Sequence, residues 1–301
     1  MLAQFLSLIF WFMQLSSFRF LVLVPALAAH ITPALAQTDS TSTAARLTSL
    51  ALAVAPAPDA AGAGQPFNLL DNAELVYRVL DASGKPVGEL RQRVASLKTV
   101  EREESKKRKV TENTMLLKSG LYVGKSTLNR IQDLTFRARR DTSFTDGTGE
   151  INNEALRSFR DRKLAYEATP VAWPNLPTVG SMLPDGGVSI QVSSSVVNIA
   201  TVSTLLHKRR VVSGPAPLTT PAGTFPCYKV EAEREEATIP RPDMAMRSTT
   251  KQIDYYAPGV GVIRTEYYTK SGKLDTVREL TARSVAAPGT KEKMKVKTKK
   301  S

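Results

Sequence analysis

Tyr255-Tyr-Ala-Pro-Gly-Val-Gly-Val-Ile-Arg264 decides how this chain folds. Pro258 presets the φ wanted at the second position of a type II turn, and Gly259 supplies the positive φ of the third. Gly261 then allows a bulge or a close backbone approach as the chain re-enters a sheet. Thr220-Pro-Ala-Gly-Thr-Phe225 repeats the logic, with Pro221 and Gly223 turning the chain into Phe225–Val230. Both segments read as turns feeding strands, so Pro221, Gly223, Pro258, Gly259 and Gly261 are given structural roles. They form no phosphate cradle, because neither a P-loop nor a strand-G-x-G-x-x-G-helix pattern is present.

Outward from these turns the pattern continues as strand after strand. Glu74–Asp81 alternates, with Leu75, Tyr77 and Val79 on one face, and Ala82–Pro86 turns it into a strand over Val87–Val100. Further strands are expected at 106–117, 121–131, 134–139, 189–192, 195–212, 225–236, 248–257, 260–269 and 275–284. Ser271-Gly272-Lys273 marks the last hairpin turn. The exception is Asn152–Arg160, where Asn152 is a candidate N-cap and Leu156/Phe159 sit at i, i+3 spacing, so one short helix is expected. Trp173–Gly186 follows, with prolines that forbid a helix and disfavour a central strand. The fold class expected is mainly β: one strongly curved antiparallel sheet, barrel-like or half-barrel.

The ends read differently. Residues 1–36 form a secretory signal: an apolar run behind Arg19, ending in Ala34-Leu-Ala36 with its small-x-small cleavage pattern. Met1 and Met13 both stand as possible starts, and a longer uncleaved anchor is the competing reading. Residues 37–64 are Ala/Pro/Ser/Thr-rich and have little to bury, so they read as a flexible linker. The all-β domain spans 65–286, and 287–301 is a basic tail expected to be disordered. Nothing after residue 36 is apolar for long enough to span a membrane as a helix. The expected localisation is exported: periplasmic, secreted or in the cell envelope.

The two turn segments, together with Pro174-Asn-Leu-Pro-Thr-Val-Gly180 and Leu183-Pro-Asp-Gly186, resemble the TapB-like family of exported bacterial β-rich proteins. The basic strand Arg209-Arg-Val211 before the Pro221 turn adds to the likeness. The resemblance covers roughly Phe67 to Leu280 and implies an exported envelope protein. The family has no established activity, so it implies no site residue.

The chemistry of the chain excludes more than it selects. A single cysteine, Cys227, cannot form an internal disulfide and reads as a small buried hydrophobe. Outside the signal there is one histidine, His207, flanked by Lys208–Arg210, and with Cys227 it makes too few ligands for zinc. Asp141–Glu150 lacks the alternate oxygen ligands of an EF-hand loop and reads as an acidic turn. No catalytic, cofactor-binding or metal residue is assigned, and no enzyme is expected. Lys and Arg number 41 against 28 acids, a net of +13, with clusters at Lys106–Lys109, Arg137–Arg140 and Lys208–Arg210. In an exported chain such charge points to an anionic envelope lipid or polymer rather than nucleic acid. The function expected is a binding module for an apolar or amphipathic ligand, an anionic lipid or glycolipid among them, with Tyr77, Val79, Tyr255 and Tyr267 as candidate cavity residues. The alternative is a structural protein that binds another envelope component through strand edges or the basic tail. Ligand identity and oligomeric state are not legible.

Overall fold

The structure, a computed structural model, describes residues 64–284 apart from 106–107, 125–126, 196 and 242. The signal, most of the linker and the basic tail lie outside the described residues. The described residues all belong to one compact unit.

Thirteen strands form one antiparallel sheet. In chain order they are β1 (Glu74–Asp81), β2 (Pro86–Ser105), β3 (Arg108–Val123), β4 (Thr127–Arg139), β5 (Thr142–Thr145), β6 (Lys163–Thr169) and β7 (Val171–Pro174). There follow β8 (Gly186–Ser194), β9 (Val197–Thr220), β10 (Gly223–Arg241), β11 (Met244–Ala257), β12 (Gly261–Tyr268) and β13 (Leu274–Ser284). The order across the sheet is β6-β8-β9-β10-β11-β12-β13-β1-β2-β3-β4-β5-β7. Two meanders therefore meet where β1 pairs with both β13 and β2. The two edge strands, β6 and β7, are separated in sequence by Pro170 alone. One residue cannot cross a flat sheet of thirteen strands at about 4.8 Å each. The sheet must curl until its edges adjoin, and it is a nearly closed barrel.

The expected curved sheet and single short helix are both present. The helix, α1 (Asn153–Leu156), is capped by Asn152, whose side chain accepts from the Glu154 N–H. Boundaries differ in places. The strands expected at 106–117, 121–131 and 134–139 are two, β3 and β4, because Gly120 is a ladder position and not a turn. It pairs with Arg91 and Ile131, and a Cβ there would stand 3.2 Å from the Tyr122 ring. β9 is longer than expected, 24 residues, running past Gly214 to Thr220. Trp173-Pro174 belongs to β7, an edge strand, where proline is tolerated. The strands β5 and β6 carry too few alternating apolar residues to be read in advance.

Both signature segments lie at turns between paired strands. Val260 N–H donates to Ala257 C=O, and Gly259 sits at φ 72°, the positive value needed at the third position. Pro221-Ala222 forms a two-residue loop closed by the Thr220–Gly223 pair.

Between β5 and β6 the chain makes a strap over Asp146–Phe159 that crosses the barrel interior. On one side Asp146 accepts from the Thr135 N–H of β4, and Arg130 donates to Asn153. On the other, Asn152 donates to Glu236 of β10 and its N–H to Thr204 of β9. Leu156 and Phe159, the predicted apolar pair, pack with Ile151 on Val188, Ile190, Val192 and Val202. The main core lies elsewhere, around Phe67, Met115, Leu117, Phe136, Trp173, Leu206, Phe225, Tyr256 and Ile263.

Gly147 lets the strap descend. A Cβ there would overlap the carbonyl oxygens of Gly187 and Thr169, both fixed in the β6–β8 ladder. Gly147→Ala is therefore expected to cost about 2 kcal/mol, the scale of overpacking in a tight site. Urea unfolding checks this, and an unchanged midpoint would mean that the strap is not seated as described.

Candidate functional site

Inward-facing positions of a strand recur every second residue, so cross-strand partners share a face. On one wall this places Tyr77, Leu90, Leu121 and Arg130 in a row, with Leu75, Gln92, Ser119 and Gln132 in the next. Continuing across β1 to β13, β12 and β11, Val79, Arg278, Thr265 and Asp254 form a further row, with Gln252 and Tyr267 paired beside it. The interior thus has an apolar half and a polar half. Between them lies a cavity of about 50 Å³, bounded by Tyr77, Gln92, Ser119, Arg130, Gln132, Glu150, Asp254 and Arg278 on its polar side. Phe67, Phe136, Trp173 and the Val260-Gly261-Val262 stretch of the signature turn close its apolar side. At about 15 Å³ for each probe-sized water, this is space for a few waters or one carboxylate- or phosphate-sized group, and not for an acyl chain.

The acids around it are engaged. Asp254, wholly buried, accepts from the Thr265 hydroxyl at 2.7 Å and the Gln252 amide at 3.0 Å. Glu150 pairs with Arg234 at 3.0 Å, and Arg234 also holds Glu236 and stacks over the Tyr267 ring. Asp146 is spent on Thr135 and Thr148. The two cavity arginines are different. Arg278 donates to Thr265 at 3.3 Å and lies over the Tyr77 ring, while Arg130 donates to Asn153 at 3.1 Å. Neither has a direct carboxylate ion pair among the described residues, although the charges of Glu150 and Asp254 act on Arg278 from further off.

Burial sets the protonation behaviour. It pushes the carboxyl of Asp254 above the ordinary range, helped by Glu150, and raises the phenols of Tyr77 and Tyr267. Burial also lowers Arg130, and the nearby Arg278 charge lowers it further. For Arg278, desolvation is the largest single influence and lowers it, but Tyr267, Glu150, Tyr77 and Asp254 together raise it above its ordinary value.

Of the residues singled out from sequence, Tyr77 lines the cavity, and Val79 and Tyr267 share its face. Tyr255 stands on the opposite face of β11, paired with Arg264 and within 3.5 Å of Glu266. Cys227 is buried, its thiol pushed up to about 12 by desolvation. His207 meets Asp185 at 2.8 Å on the surface and takes no part in the cavity. The Lys208–Arg210 run is no uniform surface cluster: Arg209 is wholly buried, re-aimed by a bulge at Lys208 (φ 50°). Arg130, Asp254 and Arg278 were not foreseen. Their one sequence signal is a charge at an inward strand position, such as Arg278 between Thr276 and Leu280.

No group of three or more His, Cys, Asp or Glu suited to a metal occurs among the described residues. Among those residues, too, no helix is long and apolar enough to cross a membrane.

Residues 72–280 match the family model described as DUF3108-like. The chain belongs to the DUF3108-like family. The match does not carry the TapB-like name. Two solved structures have the fold of this DUF3108-like protein. One is a "putative exported protein with YmcC-like fold" from Bacteroides fragilis, 17% identical, covering 73% of this chain and 98% of its own, with a TM-score of 0.51. The other is a "putative lipoprotein" from Parabacteroides distasonis, 18% identical, covering 73% of this chain and 99% of its own, with a TM-score of 0.56. The search of curated proteins found no match.

The raised carboxyl of Asp254 has a consequence for stability. Its folded pKa lies above the unfolded one, so the native state binds the proton first as pH falls. This group's destabilising contribution is full above the folded pKa, shrinks as pH falls through it, and is gone below the unfolded value. Asp254→Asn should therefore melt higher than wild type at pH 7, with the difference narrowing towards pH 4. Melting curves across that range check it, and a constant difference would contradict it.

Proposed function

We propose that this chain is an exported cell-envelope protein that acts as a non-enzymatic binding module, taking one small anionic group into the polar half of its barrel. The observation that carries this is the Arg130–Arg278 pair, two guanidiniums lining one cavity with no direct carboxylate ion pair among the described residues. Like charges held together away from water are costly, and structures keep such arrangements where a ligand neutralises them. A guanidinium fork matches a carboxylate or phosphate bidentately, and Gln92, Gln132 and Ser119 offer further hydrogen bonds. The ligand is an amphipathic envelope molecule whose acidic headgroup enters, while its apolar part stays outside so small a cavity. The description of two structural relatives as exported or lipoprotein supports the location.

A second reading, a structural protein that binds an envelope partner through a strand edge, has one observation in its favour. β6 pairs with β8 alone, and most of its residues are exposed.

Calorimetric titration with glycerol phosphate tests the first reading. Saturable binding is expected, weakened about tenfold in Arg130→Gln by loss of one charge-assisted contact. Equal heats for the variant and wild type, or no binding by either, would overturn it.

A further inference from the structure

We propose that the barrel takes up its anion together with one proton from solvent, held by Asp254, so that binding tightens as pH falls. The inference rests on the anion reading above and adds the proton to it.

A single hydroxyl links Asp254 to a guanidinium that would hold the anion. Thr265 donates to Asp254 Oδ1 at 2.7 Å and accepts from Arg278 Nη2 at 3.3 Å. Thr265 and Asp254 are both buried, and Asp254 and Arg278 line the same cavity. A hydroxyl has one proton to give, so while Thr265 serves the carboxylate it offers Arg278 only lone pairs. An anion seated on Arg278 would therefore stand close to a second negative charge, in a space for few waters. Two acids sharing such a site do not both stay ionised; one of them holds a proton.

The surrounding groups select which acid that is. Glu150 of the strap and Glu236 of β10 pair with Arg234 at 3.0 and 2.9 Å. Asp146 of the strap accepts from the backbone N–H groups of Thr135 and Thr148. Both kinds of contact favour the ionised form. Asp254 accepts instead from neutral side chains, the Thr265 hydroxyl and the Gln252 amide, and Gln252 in turn accepts from Arg234 at 3.3 Å. Burial keeps the phenols of Tyr267 on β12 and Tyr77 on β1 protonated. Arg130 of β4 lines the same cavity, and Arg209 of β9 feels the charge of Asp254 from further off. Burial first, then Glu150, favours the proton on Asp254, while its two hydrogen bonds and the charge of Arg278 oppose it. An anion on Arg278 offsets that opposing charge and adds a like one, so it strengthens the hold of Asp254 on its proton. By linkage the proton strengthens anion binding by the same factor.

Calorimetric titration with inorganic sulfate tests this, because sulfate keeps its charge across the range in which a raised carboxyl titrates. Wild type should bind it at least about tenfold tighter at about pH 5 than at about pH 8, since one linked proton changes affinity by up to about tenfold per pH unit. Repeating the titration in buffers of different ionisation enthalpy should show uptake of up to one proton per sulfate. Asp254→Asn, neutral at every pH, should bind at the higher pH about as tightly as wild type does in acid, and take up no proton. The proton count is read on wild type alone, so a poorly folding variant does not shield the claim. Equal affinity at both pH values without proton uptake would leave the anion site standing and overturn the proton. Uptake undiminished in Asp254→Asn would overturn the role of Asp254. No sulfate binding at either pH would overturn the anion reading, and this inference with it.

Discussion

The guanidinium of Arg209 is the contact on which the barrel depends. β6 and β7 are the edges of a thirteen-stranded sheet, yet only Pro170 separates them, and they do not pair with one another. The junction between them therefore lacks a ladder. Arg209, reaching inward from β9, donates to Ala172 C=O of β7 at 3.0 Å and to Pro184 C=O at 2.9 Å. Its plane lies 4.7 Å from the centre of the Trp173 ring. One side chain thus stitches both sides of the seam by hydrogen bonds and by stacking. Burial lowers its pKa to about 10, which leaves it charged at neutral pH. Losing it would leave the buried Ala172 carbonyl without this donor, at about 1–3 kcal/mol.

The same seam explains why the interior divides into two halves. Trp173, placed by Arg209, packs 5.2 Å from Tyr256, and Phe67 meets both Tyr256 and Phe136 edge-on. These rings fill one half, so the charges of the strap and of β10–β13 collect in the other. These groups lie close enough to act on one another, which is why the balance among Glu150, Arg234, Asp254 and Arg278 matters there. Each acid finds donors in Thr265, Gln252 or Arg234, while the two cavity arginines bond to the neutral side chains of Thr265 and Asn153. A fold concerned only with stability would fill such a space with apolar side chains, since buried charge is rarely the more stable choice.

How much of this was legible in sequence follows from the range of each signal. Turn chemistry is local, and Pro258-Gly259 therefore gave the hairpin before any contact was known. Alternation is local too, and it placed Leu75, Tyr77 and Val79 on one face. Trp173–Gly186, Arg209–Val211 and Tyr255–Arg264 stood out as separate segments, and they meet in space at the Trp173–Tyr256–Arg209 stack. That meeting was invisible, because it depends on closure of the sheet. Arg209 read as one of three surface cations, since a bulge that turns a single side chain inward leaves no mark in composition. The cavity residues were hidden for the same reason. Arg130 and Arg278 lie 148 positions apart and become neighbours only when β4 and β13 curl towards one another. His207 found its carboxylate in Asp185, but on the surface, where the pair has no pocket to serve.

Hydrogen exchange on Arg209→Leu tests the closure of the barrel most directly. If Arg209 stitches the seam, amides of β5, β6, β7 and β8 will exchange faster than in wild type, while those of β1, β2, β12 and β13 keep their protection. Unchanged exchange at the seam, or an equal loss of protection across all thirteen strands, would contradict the account.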